Sequence, residues 1–160
     1  MFQHNTQMEN AYRFSRFDMD NPLSSCSQHP IVLEDQNWTT CEHYVQARLL
    51  RSPAQAKKVE QMTSGEQAVA FAAPWYRRKV TDYKKLAPVL MTRALYTKVQ
   101  MYEEVREALL AIETPLIIES SQYDYFWGIG RDQRGENHLG KIWLNIREKI
   151  TTSDIRKPEA

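Results

Sequence analysis

One long stretch of this chain, residues 120–137, follows neither a helical nor a strand period. Structureless loops beyond about 12–15 residues are uncommon in compact domains, and those that exist are functional or disordered. Tyr123, Tyr125, Phe126 and Trp127 argue against disorder here, and Gly128, Gly130 and Gly135 supply turns. Both flanks are well patterned. Leu116-Ile117-Ile118-Glu119 reads as a short strand. Leu139, Ile142, Trp143, Ile146 and Ile150 give a final helix, starting near Asn137, one buried face. Any fold this chain adopts has to hold an ordered, irregular, aromatic segment between a strand and a helix.

Helices dominate the middle of the chain. Tyr12 and Phe14 alternate with polar neighbours and suggest a strand; Ile31-Val32-Leu33 suggest another, closed by a Glu-Asp-Gln-Asn turn. Residues 18–29 read as a loop. Thr39-Thr40-Cys41-Glu42 has capping-box form and opens a helix through Tyr44, Ala47 and Leu50. Ser52-Pro53 opens a second helix, running to about Met62, and Gly65 separates it from a short one over about 66–72. Pro88 is expected as the first residue of a helix to about Gln100, and Tyr102, Val105, Leu109 and Ile112 form the stripe of an amphipathic helix over 102–113. Residues 1–10 and 153–160 are expected to be loose, leaving one domain over 11–152. The class implied is α+β, with about six helices and a few short strands.

Composition excludes several functions. Lys+Arg 21 against Asp+Glu 20 leaves a net charge of +1, too little for the global field of a nucleic-acid-coating protein. Cys26 and Cys41 are too few for a disulfide scaffold, so reduced thiols in a cytoplasmic protein are the simpler reading. The histidines show no metal-ligand spacing, and neither a membrane span nor a secretory signal is visible. No metal, cofactor, membrane or obligate protein partner is expected.

Five constellations admit both a structural and a chemical reading. Glu42 is either the third helical residue of a capping box headed by Thr39 or a carboxylate at a positive helix end, and Tyr44 is either core or ligand contact. Asp124 is either the head of an Asx-turn or a polar group beside a stacking Trp127. Asn137, preceded by Gly135, is either a helix N-cap or part of a phosphate cradle. Glu119 is either a solvated charge or a catalyst. The run Trp75-Tyr76-Arg77-Arg78-Lys79 is either a solvated connector or a grip for phosphate or nucleic acid.

Three blocks in series resemble the NADAR, or YbiA-like, family over roughly Leu23 to Ile150. The first is Trp38-x-Thr40-x-Glu42-His43-Tyr44-x-Gln46-Ala47. The second is Leu90-Met91-x-x-Ala94-Leu95-x-x-Lys98, followed by Leu109-Leu110 and Ile117-Ile118-Glu119. The third is Asp124-x-x-Trp127-Gly128-x-Gly130, then Gly135-x-Asn137-x-Leu139-Gly140 and Arg147-Glu148. The resemblance implies a helix-rich α+β domain that cleaves ribose C1–N bonds.

By resemblance, Glu42, Glu119 and Asp124 are the candidate catalytic carboxyls. Trp127, with Tyr44, would stack on the base, and Gly128, Asn137, Arg131, Lys98 and Ser25 would bind the sugar and phosphate. The implied substrate is a phosphorylated riboflavin-synthesis intermediate. The alternatives are ADP-ribosylated guanine in nucleic acid, which would make nucleic acid a partner only as substrate, and a non-catalytic ADP-ribose or nucleotide-binding module. The chain departs from the family pattern at Ser24-Ser25-Cys26, where Ser-Asn-Phe is usual, at Ala87, where a lysine is common, and at Val99, where Phe is. Ser25 would therefore have to replace the missing amide.

Overall fold

The computed structural model describes residues 10–156, with side chains through Ser153. Of the segments expected to be loose, 1–10 and 153–160, residues 1–9 and 157–160 lie outside the described residues, and 153–156 continue the last helix. Two compact units emerge: Arg16–Arg106, and the chain up to Ser15 together with Glu107 onward. Among the described residues there are six helices and four short strands, a helix-rich α+β fold.

The first unit begins with a hairpin of β2, Ile31–Leu33, and β3, Gln36–Trp38, paired antiparallel with Ile31 opposite Trp38. The second strand was not expected. Glu34 and Asp35 make the two-residue turn, with φ of 56° and 61°. Left-handed conformation at both central positions is what a type I′ hairpin requires, but Glu-Asp lacks the glycine that normally announces it. Helix α1, Cys41–Leu49, follows. Its cap is Thr40 rather than Thr39; the Thr40 hydroxyl accepts from the His43 amide at 3.3 Å. Glu42 is therefore one residue too early to close a capping box. The helix packs against α2 (Pro53–Glu60), α3 (Gly65–Ala72) and α4 (Tyr83–Met101).

Ser52 and Ser64 cap α2 and α3, accepting from Gln55 and Gln67 amides. Helix α4 begins five residues before Pro88. Asp82, at φ 58°, starts it through its carbonyl, which accepts from Lys85 and Leu86 amides at 3.0 and 3.1 Å. Pro88 is tolerated inside the first turns because the carbonyl it leaves unpaired, that of Lys84, lies in an exposed segment. Helix α5, Glu103–Leu110, runs from the first unit into the second and ends short of residue 113.

In the second unit β1, Tyr12–Phe14, pairs parallel with β4, Ile117–Glu119, placing Phe14 opposite Glu119. Helix α6, His138–Arg156, packs on β4 and continues past Ser153. Segment 120–137 is irregular, as its sequence predicts, but its backbone is tied down. Ile129 N donates to Glu119 O (3.1 Å), Glu136 N to Tyr125 O (2.8 Å), His138 N to Phe126 O (3.1 Å) and Leu139 N to Trp127 O (3.1 Å). The last two satisfy amides that a helix start leaves without an intrahelical partner. No described helix is long and apolar enough to cross a membrane.

Gly140 is what lets α6 approach β4. A Cβ there would lie 2.0 Å from the Ile117 carbonyl oxygen. Alanine gains about 1 kcal/mol over glycine in a helix interior, whereas forcing packed backbone apart costs about 1–3 kcal/mol, and this clash leaves no flexible neighbour to yield. Gly140→Ala is expected to lower the urea midpoint, despite its better helix propensity.

Candidate functional site

Helix α1 is buried on nearly every side, and its polar residues are buried with it: Glu42, His43 and Gln46 as well as Tyr44. A buried charge needs a partner and hydrogen bonds, or it costs several kcal/mol. The fold supplies them. Arg16, itself buried, donates to Glu42 Oε1 from Nε at 3.0 Å and from Nη2 at 2.5 Å. Ser25 Oγ donates to the same oxygen at 2.7 Å. Gln46, one helical turn on, donates Nε2 to Oε2 at 3.0 Å.

Behind this cluster stands Lys98 on α4. It is fully buried, and its Nζ donates to Ser24 O at 2.8 Å and Ser27 Oγ at 2.9 Å. Desolvation pushes its ammonium down to about 8, opposed only in part by the neighbouring Cys41 and Cys26. The 24–27 turn that it grips also holds Arg16, whose carbonyl accepts from Cys26 N (3.1 Å) and from the Ser24 hydroxyl. Lys98 thus anchors the turn that presents Ser25 and Arg16 to Glu42. This geometry reassigns it from phosphate ligand to internal strut.

His43 locks the helix start. Its Nε2 faces the Met62 carbonyl at 2.9 Å and must carry the proton; Nδ1 then accepts from the Thr40 hydroxyl at 2.7 Å. Desolvation pushes the imidazole below its ordinary 6.5, with the Met62 carbonyl and Glu42 opposing. Tyr44 is a core residue, not a stacking surface. Its ring meets Trp38 edge-on at 5.3 Å, and its hydroxyl donates to Glu34 Oε1 at 2.9 Å while accepting from Arg93 at 3.1 Å. Glu34 also takes Arg48 Nε at 2.7 Å, and these bonds lower its carboxyl against an opposing desolvation.

The second unit gathers Glu119, Gly128 and Asn137. Glu119 is buried; Oε1 accepts from Ser121 Oγ at 2.5 Å and Oε2 from Ser121 N at 3.2 Å. It is therefore not a solvated charge. Gly128 makes room for it: a Cβ there would stand 2.2 Å from Oε2. Asn137, at φ 51°, spends its side chain on β4, accepting from Glu119 N at 3.0 Å and donating to Ile117 O at 2.9 Å. With the His138 and Leu139 amides also paired, Asn137 braces strand to helix rather than cradling phosphate. Asp124 heads an Asx-turn, its Oδ1 accepting from Phe126 N (3.0 Å) and Trp127 N (2.8 Å). Trp127 is 7% exposed and meets Phe126 edge-on at 4.9 Å, so its indole is largely packed rather than open. Arg131 is exposed.

Arg16 and Ser121 join these clusters without a motif to announce them. Gln46 had one, its position four residues after Glu42 on a helix. Arg16 has no local signal, because its partner is 26 positions away.

The family model for the NADAR domain matches residues 1–151. The chain is 32% identical over 131 residues to the N-glycosidase Npun_R5314 of Nostoc punctiforme, covering 80% of this chain and 84% of that protein. It is 25% identical over 137 residues to the N-glycosidase YbiA of Escherichia coli, covering 86% of each. It is also 26% identical over 160 aligned positions to the chloroplastic riboflavin biosynthesis protein PYRR of Zea mays, covering 86% of this chain and 24% of that protein. The solution structure of Escherichia coli YbiA matches the fold with a TM-score of 0.81 at 21% identity, over 92% of this chain and 90% of that one.

Two stability measurements follow from the buried polar cluster. Arg16→Met strands the Glu42 charge and is expected to cost about 3–5 kcal/mol; adding Glu42→Gln should recover part of that loss, so the double-variant cycle is non-additive. Because the native His43 value lies below 6.5, the unfolded chain binds a proton that the native one refuses once pH falls beneath 6.5. Stability is therefore full above it and drops below it. His43→Gln, which keeps one donor and one acceptor, should flatten the urea midpoint between pH 7 and 5.

Proposed function

The chain belongs to the NADAR family, and from that membership we propose that it is an N-glycosidase hydrolysing the ribose C1–N bond of a phosphorylated, ribosylated heterocycle. The relatives named N-glycosidases support the reaction. The similarity to a plant riboflavin biosynthesis protein supports a riboflavin-synthesis intermediate as the substrate.

The observation that carries the reading is the asymmetric hydrogen bonding of the buried Glu42 carboxylate. Oε1 is saturated by Arg16 and Ser25, while Oε2 has one partner, the Gln46 amide. A carboxylate oxygen takes about two hydrogen bonds, so Oε2 can accept another. Gln46, at 7% exposed, is the most accessible member of the cluster, and the proposed approach to Oε2 runs past its amide.

Breaking the C1–N bond leaves the electron pair on the base nitrogen and positive charge on ribose C1 and the ring oxygen. Water adds to C1 and gives up a proton, and the departing nitrogen gains one. An ion-paired carboxylate is an acceptor, not a donor. Glu42 is thus assigned to stabilising the ribosyl cation or accepting the water proton, and Arg16 to fixing its orientation. General base help of this kind contributes about 10²–10⁴-fold.

The test follows base release from a ribosylamino-pyrimidine phosphate, with ADP-ribosylated guanine as comparator. The wild-type chain should release base from the first, and Glu42→Gln should lower kcat at least about 100-fold while still unfolding cooperatively. An unchanged kcat in the folded variant removes Glu42 from the chemistry. Release only from ADP-ribosylated guanine would overturn the substrate assignment and keep the bond type. Glu119→Gln in the same assay decides whether the carboxyl of the other unit takes part.

A further inference from the structure

The glycosidase reading leaves unused the most exposed large hydrophobic side chain described. Trp75 is 91% exposed and Tyr76 beside it 57%, their rings edge to face at 6.0 Å. An indole repays its size by burying 150–250 Å² or so of surface; here it buries almost nothing, so core packing does not explain it.

The segment that carries it is nonetheless built firmly. Arg77 N donates to Pro74 O at 3.0 Å, closing a turn around Trp75 and Tyr76. The Arg77 guanidinium lies over the Phe71 ring at 4.1 Å and near the Tyr76 ring at 5.3 Å, with Nε donating to Phe71 O at 3.3 Å. Lys79 turns inward, its ammonium donating to the Arg77 carbonyl at 2.9 Å and to that of Ala72. Lys79 is thus a clamp rather than a surface cation. Leu50 and Lys79 form an antiparallel bridge, and Arg51 N donates to Arg78 O at 2.9 Å. The bridge sets two exposed arginines, Arg51 and Arg78, side by side on the ribbon that leads from the aromatic turn.

Charge is concentrated here. From Pro74 to Lys85 the chain carries Arg77, Arg78, Lys79, Lys84 and Lys85 against Asp82 alone, in a protein whose net charge is +1. A hydrogen-bonded turn offering open aromatic rings beside two exposed arginines on paired backbone matches a partner with flat rings spaced along a polyanion. Bases stack on aromatic side chains without regard to sequence, and phosphates pair with the flanking cations. An anionic lipid surface would match the charge, but the exposed apolar groups of this turn are aromatic rings rather than the apolar stripe of an amphipathic helix.

We propose that the Trp75–Arg78 turn, with Arg51, is a docking surface for single-stranded nucleic acid, separate from the Glu42 cluster. The proposal stands independently of the glycosidase assignment.

The experiment measures fluorescence anisotropy of a labelled oligothymidylate of about 12 nucleotides, within the length one such surface tracks, against the full chain. Wild type should bind at low salt, with log K falling against log salt by about 0.7 for each phosphate neutralised. Trp75→Ala should weaken binding at least about fivefold at unchanged salt slope, and Arg51→Glu/Arg78→Glu should weaken it and reduce the slope. These exposed positions leave the urea midpoint unchanged, and base release from the small-molecule substrate should persist. Absence of wild-type binding overturns the proposal, as does equal binding by the variants, or binding to phosphatidylserine vesicles without binding to the oligonucleotide.

Discussion

The carboxylate of Glu42 sits on a helix that the fold surrounds, and the chain has no route to that arrangement without bringing Arg16 to it. A lone carboxylate there would cost several kcal/mol. Satisfying it draws in the 24–27 turn for the Ser25 hydroxyl, and the turn in its own right needs Lys98, since its carbonyl and hydroxyl groups are also out of water. The first unit is therefore organised around a relay of obligatory polar contacts, running from α4 through the turn to α1. Apolar burial supplies the driving force, while these contacts select which packing satisfies every buried group.

Periodic elements were legible in the sequence because their signals are local. The Ser52-Pro53 cap, the stripe from Leu139 to Ile150 and the short β1, β2 and β4 strands all follow from neighbours within a turn or a pleat. The α+β, helix-rich class followed from them. Misreadings arose where two local signals competed. Two adjacent threonines offered caps, and Thr40 prevailed because its hydroxyl serves both the His43 amide and the His43 ring. Pro88 imitates a helix start, yet a proline whose lost donor faces exposed backbone does not have to be one.

The candidate sites were legible only in part, and for a different reason. Residue types in motif order single out Glu42, Glu119, Asp124, Trp127 and Asn137 as candidates, but not which of their atoms are already spent. Asn137 and Lys98 carry groups suited to anions, yet both direct them to backbone carbonyls or neighbouring hydroxyls and amides. Such competition is three-dimensional, because the partners lie many positions away. The aromatic residues divide in the same way. Trp38, Tyr44 and Trp143 are core, Trp127 is largely packed, and Trp75 and Tyr123 stand in solvent.

The turn between β2 and β3 has two residues, and one of them is Glu34. Its carboxylate receives Tyr44 and Arg48 from α1 and Arg93 from α4. A hairpin tip is ordinarily where a chain can absorb extra residues at little cost, since nothing else depends on it. Here the tip is a crosslink between two helices, and lengthening it by even one residue would carry the carboxylate away from all three donors. Tolerance to insertion in this unit thus belongs to its other connections, and the shortest turn is among the least replaceable parts of its surface.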